Sequence, residues 1–79
     1  SILAVVQTPG SPLLSITRSG SQAILSWEAP ATGFVLQQSS SLAPNSWTTS
    51  SATLTTNSTN VTVTVNVTNG YQFFRLKNP

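Results

Sequence analysis

Apolar and polar positions alternate along this chain in short runs, a pattern that predicts β-strands throughout and no helix. The clearest run is Val61–Val67, where valines at every second position form one face and Thr and Asn form the other. Five further runs are read as strands: Leu13–Ser19, Gln22–Glu28, Phe34–Gln38, Trp47–Thr49 and Tyr71–Lys77. Their apolar faces predict one core, made of Leu14, Ile16, Leu25, Trp27, Phe34, Leu36, Val61, Val63 and Val65.

The first segment of the chain has a different character. Residues 1–8 contain the unbroken apolar run Ile2, Leu3, Ala4, Val5 and Val6, which is typical of a strand buried on both faces. Residues 9–12 contain two prolines, which remove backbone donors and prevent a strand from continuing. These patterns predict a strand at 1–8, a linker at 9–12 and a domain at 13–79.

Composition limits the chemistry that the chain can perform. Its 79 residues form one small domain that has no Cys and no His, so neither a disulfide nor a zinc site can stabilise it. Glu28 is the only acidic residue, and it cannot by itself form an acid–base pair or a catalytic triad. We therefore expect no enzymatic activity, no cofactor and no metal, and stability that depends on packing or on association.

Composition also bears on the partners and the location of the protein. Its three basic residues, Arg18, Arg75 and Lys77, are scattered, so a nucleic-acid partner is not expected. No apolar run approaches the ~20 residues of a membrane span. Ser and Thr make up about a third of the chain, which is common in secreted bacterial β-proteins, so we expect an extracellular or cell-surface location. Because the chain has no Met, it is expected to be a processed product or a fragment of a longer protein.

From Leu13 onward, the chain resembles fibronectin type III and immunoglobulin-like sandwiches. The resemblance rests on Ala23-x-Leu25-Ser26-Trp27, Phe34-x-Leu36 and Tyr71–Leu76. The segment from Leu25-Ser26-Trp27 through Trp47 to Phe73-Phe74-Arg75-Leu76 is also similar to fibronectin-like repeats of large secreted bacterial proteins. The resemblance implies an antiparallel sandwich of about seven strands. The pattern contains only six after Leu13, so the final strand of the sandwich is expected to be missing.

A missing final strand would leave an unpaired edge on Tyr71–Lys77, with Phe73, Phe74 and Leu76 as its acceptor side chains. Residues 1–8 have the apolar character needed to fill that edge in a neighbouring copy, by donor-strand complementation. The short, Pro-rich linker is expected to resist folding back onto its own domain. Donation repeated in one direction produces a filament. The first functional hypothesis is therefore a homopolymeric subunit of an extracellular fibre.

Two other interpretations of residues 1–8 remain open. They could be the first half of a broken first strand that changes sheets within one molecule, as in variable-type immunoglobulin sandwiches, or a linker remnant of a longer chain. Asn69-Gly70 also has two interpretations. It predicts either a hairpin that pairs Val65 with Phe74 or an arch between two sheets, and the arch is preferred.

The second functional hypothesis is a fibronectin-like carbohydrate-binding or adhesive module of a larger surface protein. An exposed Trp47 near Gln37, Gln38 or Asn45 could stack on a sugar ring. A plain spacer domain is the third hypothesis. Three sequons make Asn57, Asn60 and Asn66 candidates for N-glycosylation, and Asn60 and Asn66 are expected to face solvent.

Overall fold

The computed structural model describes residues 2–29 and 33–78, which form two four-stranded sheets. Ser1 and most of the predicted break at 30–33 lie outside the described residues. The strands are β1 Ile2–Val5, β2 Ser15–Ser19, β3 Gln22–Glu28, β4 Val35–Ser39, β5 Thr48–Thr49, β6 Leu54–Thr56, β7 Asn60–Asn66 and β8 Tyr71–Lys77, with a 3-10 helix at Pro44–Ser46. The described residues contain no helix with the length and apolar character that a membrane span requires.

The first sheet has the strand order β1-β8-β4-β5, and the second has the order β2-β3-β7-β6. Every pairing is antiparallel except that of β1 with β8, which is parallel. The pairing of β3 with β7 is the most extended, running from Gln22↔Asn66 to Glu28↔Asn60. The prediction of an all-β sandwich with mostly antiparallel sheets is therefore confirmed at that level.

The hairpin between β2 and β3 follows directly from its turn residues. Ser19 pairs with Gln22, which leaves Gly20 and Ser21 as a two-residue loop. Gly20 has a φ of 61°, the left-handed region that the first central residue of a type II′ turn requires. Glycine adopts this conformation without steric cost, so the turn fixes the register that directs Leu25 inward.

The core lies between the two sheets. Its buried residues are Leu14, Leu25, Trp27, Leu36, Val61, Val63, Phe74 and Leu76. Three other predicted core residues, Ile16, Phe34 and Val65, are partly buried and pack against this cluster. The alternation of apolar and polar residues predicts these core positions because each sheet has one face covered by the other sheet and one face in solvent.

The structure contains a strand that the sequence pattern did not predict. β6 lies in the polar stretch 50–60, where its exposed Leu54, Thr55 and Thr56 give no alternating signal. Backbone pairing with β7 and an Asx turn at Asn57 hold β6 in place. The Asn57 Oδ1 accepts hydrogen bonds from the amides of Thr59 and Asn60, at 2.8 and 2.7 Å. The described residues after Leu13 contain seven strands, so the predicted count of six is wrong.

The connection from β7 to β8 crosses between the sheets. β7 belongs to the second sheet and β8 to the first, so the arch at Asn69-Gly70 is confirmed and the hairpin interpretation is wrong. Gln72 supports this arch from the start of β8. Its Oε1 accepts a hydrogen bond from the Thr68 amide at 2.9 Å, and its Nε2 donates to the Asn66 carbonyl at 3.1 Å. One side chain therefore ties the end of β7 to the start of β8.

Candidate functional site

β1 occupies one edge of the first sheet, beside β8 of the same chain. The register runs from Ile2↔Tyr71 to Val5↔Phe74. The Ile2 amide donates to the Gly70 carbonyl and the Val6 amide to the Phe74 carbonyl, each at 2.8 Å. In the single chain, the edge of β8 that was predicted to accept a neighbour's strand is thus paired with the chain's own first strand.

The side chains of β1 alternate between the two faces of the sheet. Leu3 and Val5 are half-buried and pack against the core cluster. Ile2 and Val6 are on the outer face and are 52% and 39% exposed. The sequence pattern predicted a strand buried on both faces, but an edge strand of an outer layer has only one covered face.

The linker was expected to resist folding back, and in the single chain that expectation is wrong. The Ser11 amide donates to the Thr8 carbonyl at 3.1 Å, which closes a four-residue turn with Pro9 and Gly10 at its centre. Gly10 has a φ of 83°, so Pro9 and Gly10 fit the two central positions of a type II turn. Proline and glycine therefore reverse the chain here instead of holding it extended.

Gln7, the residue before the turn, holds it in place through its side chain, a role that the sequence pattern did not reveal. Its Nε2 donates to the Pro12 carbonyl and to the Ser11 hydroxyl, both at 3.0 Å. Its Oε1 accepts from the Leu14 amide at 3.1 Å. The Thr8 hydroxyl adds a contact to the Leu76 carbonyl at 2.8 Å. These bonds connect the end of β1 to β8 and to the beginning of the second sheet.

The predicted acceptor residues divide between the two faces of β8. Phe74 and Leu76 are 1% exposed and face the core. Phe73 lies on the outer face, where its ring stacks on Tyr71 with centroids 5.9 Å apart and planes 6° apart. Phe73 and Phe74 both belong to the strand that pairs with β1, but Phe73 does not face the core side with Phe74 and Leu76, because consecutive residues of a strand point to opposite faces.

Trp47 is half-buried, and a cation lies over its ring. The Arg75 guanidinium carbon is 4.3 Å from the ring centroid, and the Arg75 Nε donates to the Gln37 Oε1 at 2.8 Å. Such an arrangement contributes about 0.5–1 kcal/mol at exposed sites. Arg75 therefore orders the outer face of the first sheet, and it covers one face of the ring that was proposed as a sugar platform.

A cleft of about 350 Å³ opens at the end of the sandwich where β4 ends and β8 begins. We name it the terminal cleft, and its lining includes Gln38, Ser40, Thr48, Thr68, Tyr71 and Phe74. Four parts of the fold contribute to it: the end of β4 with the following loop, β5, the β7–β8 arch and the start of β8. A signal for this cleft exists in the sequence, because Gln38 and Gln72 occupy inward-facing positions where an apolar residue is expected.

The sequon asparagines lie on or next to β7. Asn57, Asn60 and Asn66 are all exposed, and Asn60 and Asn66 share the outward face of β7 with Thr64. The Asn57 side chain is part of the β6–β7 turn described above. Their positions leave each side chain accessible from solvent.

Comparison with known protein families, with curated proteins and with solved structures gives no match to this chain.

Proposed function

We propose that this chain is a self-contained β-sandwich module of a secreted surface protein, with a binding or adhesive role and no catalytic activity. The observation that supports this proposal is the pairing of β1 with β8 of its own chain. The pairing covers the edge of β8 without a partner molecule. A module that completes its own sheet can work as a single unit within a longer protein.

The order of the strands supports an immunoglobulin-like interpretation of the fold. Immunoglobulin sandwiches have one sheet in the order A-B-E-D and another that contains C, F and G. Here β2-β3-β7-β6 corresponds to A-B-E-D, while β4 and β8 correspond to C and F. β1 takes the place of G beside F. It departs from that fold because it runs parallel to β8, whereas a following G strand would be antiparallel.

A binding role agrees with the location of the terminal cleft. Connecting segments at the ends of a sandwich carry binding residues because the sheets hold them in fixed positions. The β7–β8 arch beside the cleft is held by the two hydrogen bonds of Gln72. The arch therefore presents its side chains with little freedom.

The mass of the purified chain in solution tests the proposal. Light scattering after size exclusion should give the 8.3 kDa monomer at every concentration from micromolar to millimolar. Multimers that grow with concentration would contradict a self-contained module.

A second candidate function is a filament subunit that exchanges its first strand with a neighbouring copy. The favouring observation is that β1 pairs with β8 alone and is joined to the rest by a short turn. Opening that turn would let residues Ile2–Val6 of one copy occupy the same edge in the next, a form of domain swapping. The parallel register with β8 would be kept, and Leu3 and Val5 would enter the neighbour's core.

Electron microscopy with a deletion variant tests this candidate. The full chain should form filaments, and a chain lacking residues 1–8 should form none. Filaments that persist after the deletion would show that strand exchange does not build them.

A further inference from the structure

We propose that the terminal cleft binds a neutral carbohydrate. The inference rests on the proposed function of a binding module and gives that module a site and a class of ligand. The proposed site lies at the end of the sandwich and does not include the Trp47 ring.

The chemistry of the lining defines the ligand. No charged side chain lies among the described residues that line the cleft. The side chains of Gln38, Ser40, Thr68 and Tyr71 make no hydrogen bond to another residue in the described parts of the chain. These groups comprise three hydroxyls and one amide, which can both donate and accept. They suit a ligand that is rich in hydroxyl groups and carries no net charge.

The cleft also offers apolar surface. Tyr71 lines the cleft and is 58% exposed, so its ring supplies most of that surface, whereas Phe74 in the lining is 1% exposed and presents almost none. A sugar ring has a face of C–H groups and a rim of hydroxyls, so it needs apolar and polar contacts together. Binding sites for small molecules combine apolar lining with a few placed polar groups, in volumes from about 300 Å³ upward. A volume of about 350 Å³ therefore suits one or two sugar rings.

The Trp47 ring is a poorer platform for the same ligand. Arg75 lies over the ring at 4.3 Å and is held there by Gln37. A sugar on that face would first have to displace the guanidinium. The uncharged cleft requires no such displacement.

Two-dimensional NMR of the ¹⁵N-labelled full chain tests the proposal. We would add cellobiose, maltose, lactose and chitobiose separately, and digalacturonate as the anionic counterpart. At least one neutral disaccharide should shift the amides of Ser40, Thr68 and Tyr71 in a saturable way. Digalacturonate should shift them at least tenfold more weakly.

Matched variants locate the binding. Gln38→Ala and Thr68→Ala should each raise the Kd about two- to tenfold, as expected for the loss of one hydrogen bond. Gln22→Ala and Thr64→Ala remove the same side chains from exposed positions of the second sheet and should leave the Kd unchanged. Spectra of all four variants report whether each one folds.

The outcomes separate this inference from the proposed function. Shifts centred on Trp47 and Arg75, a preference for digalacturonate, or no saturable shift with any disaccharide would each overturn the inference. If the same sample is an 8.3 kDa monomer, the module proposal stands without it. If the sample is multimeric, the module proposal fails whatever the cleft binds.

Discussion

Replacing the two inward side chains of β1 should destabilise the domain far more than replacing two outward side chains in and directly after the same strand. The variants are Leu3→Ala with Val5→Ala, and the matched control Ile2→Ala with Val6→Ala. Both variants remove two large aliphatic side chains from the segment Ile2–Val6. Only the first pair packs against the core, whereas the second is 52% and 39% exposed.

The size of the effect follows from burial. A fully buried aliphatic side chain contributes about 1.5–3 kcal/mol, so two half-buried ones together contribute about 2 kcal/mol. A domain of this length has a free energy of unfolding of about 4–12 kcal/mol, so the loss is substantial. The control pair should cost less than about 1 kcal/mol, as surface substitutions do.

Urea unfolding followed by tryptophan fluorescence measures both variants. With a slope near 1 kcal/mol per molar urea for so small a domain, the inward pair should lower the midpoint by about 2 M. The outward pair should lower it by less than half as much. Equal losses in the two variants would refute the described orientation of β1.

Three further predictions concern the contacts that hold the sandwich together. Gln7→Ala should lower the free energy of unfolding by about 1–3 kcal/mol and speed hydrogen exchange at the Leu14 amide, which donates to the Gln7 side chain. Gln7→Glu keeps the acceptor oxygen and should retain the protection of that amide. Arg75→Ala should lower the free energy of unfolding, measured by heat or urea, by about 1 kcal/mol, because the contact with the Trp47 ring and the hydrogen bond to Gln37 are both lost. The control Lys77→Ala, on the same face, should change it by almost nothing, and equal losses would contradict the described contact. Leu25→Ala should lower the free energy of unfolding by about 2–5 kcal/mol and Ile24→Ala by less than about 1 kcal/mol, because only Leu25 is fully buried. The reverse order would mean that β3 turns its other face to the core.

The alternation of side chains was enough to predict most of the strands and the inner face. The bounds of β3 and β8 agree with the predicted runs, because one face of each strand is covered and the other is wet. β6 was not predicted, because its side chains are all exposed and only its backbone pairing defines it as a strand. Pattern reasoning cannot detect a strand that contributes nothing to the core.

The path of β1 could not be read from hydrophobicity. Its apolar run correctly indicated a strand, but the choice between its own chain and a neighbour depended on the linker. The two prolines of the linker predict a stiff tether, but the dipeptide Pro9-Gly10 is also the signature of a type II turn, which is what forms here. The stabilising contacts of Gln7 depend on three-dimensional proximity and left no pattern in the sequence. The terminal cleft has only a weak signal in the sequence, the polar Gln38 and Gln72 at inward-facing positions, because the segments that form it are far apart along the chain.

A disulfide between β1 and β8 gives the most direct test that the first strand belongs to its own chain. The protein has no cysteine, so Ala4→Cys with Phe73→Cys introduces a unique pair at adjacent positions of the parallel register. Oxidation at micromolar concentration should give a single species with the mass of one chain on a non-reducing gel. A ladder of disulfide-linked multimers would contradict the account and would place the strand in a neighbouring molecule.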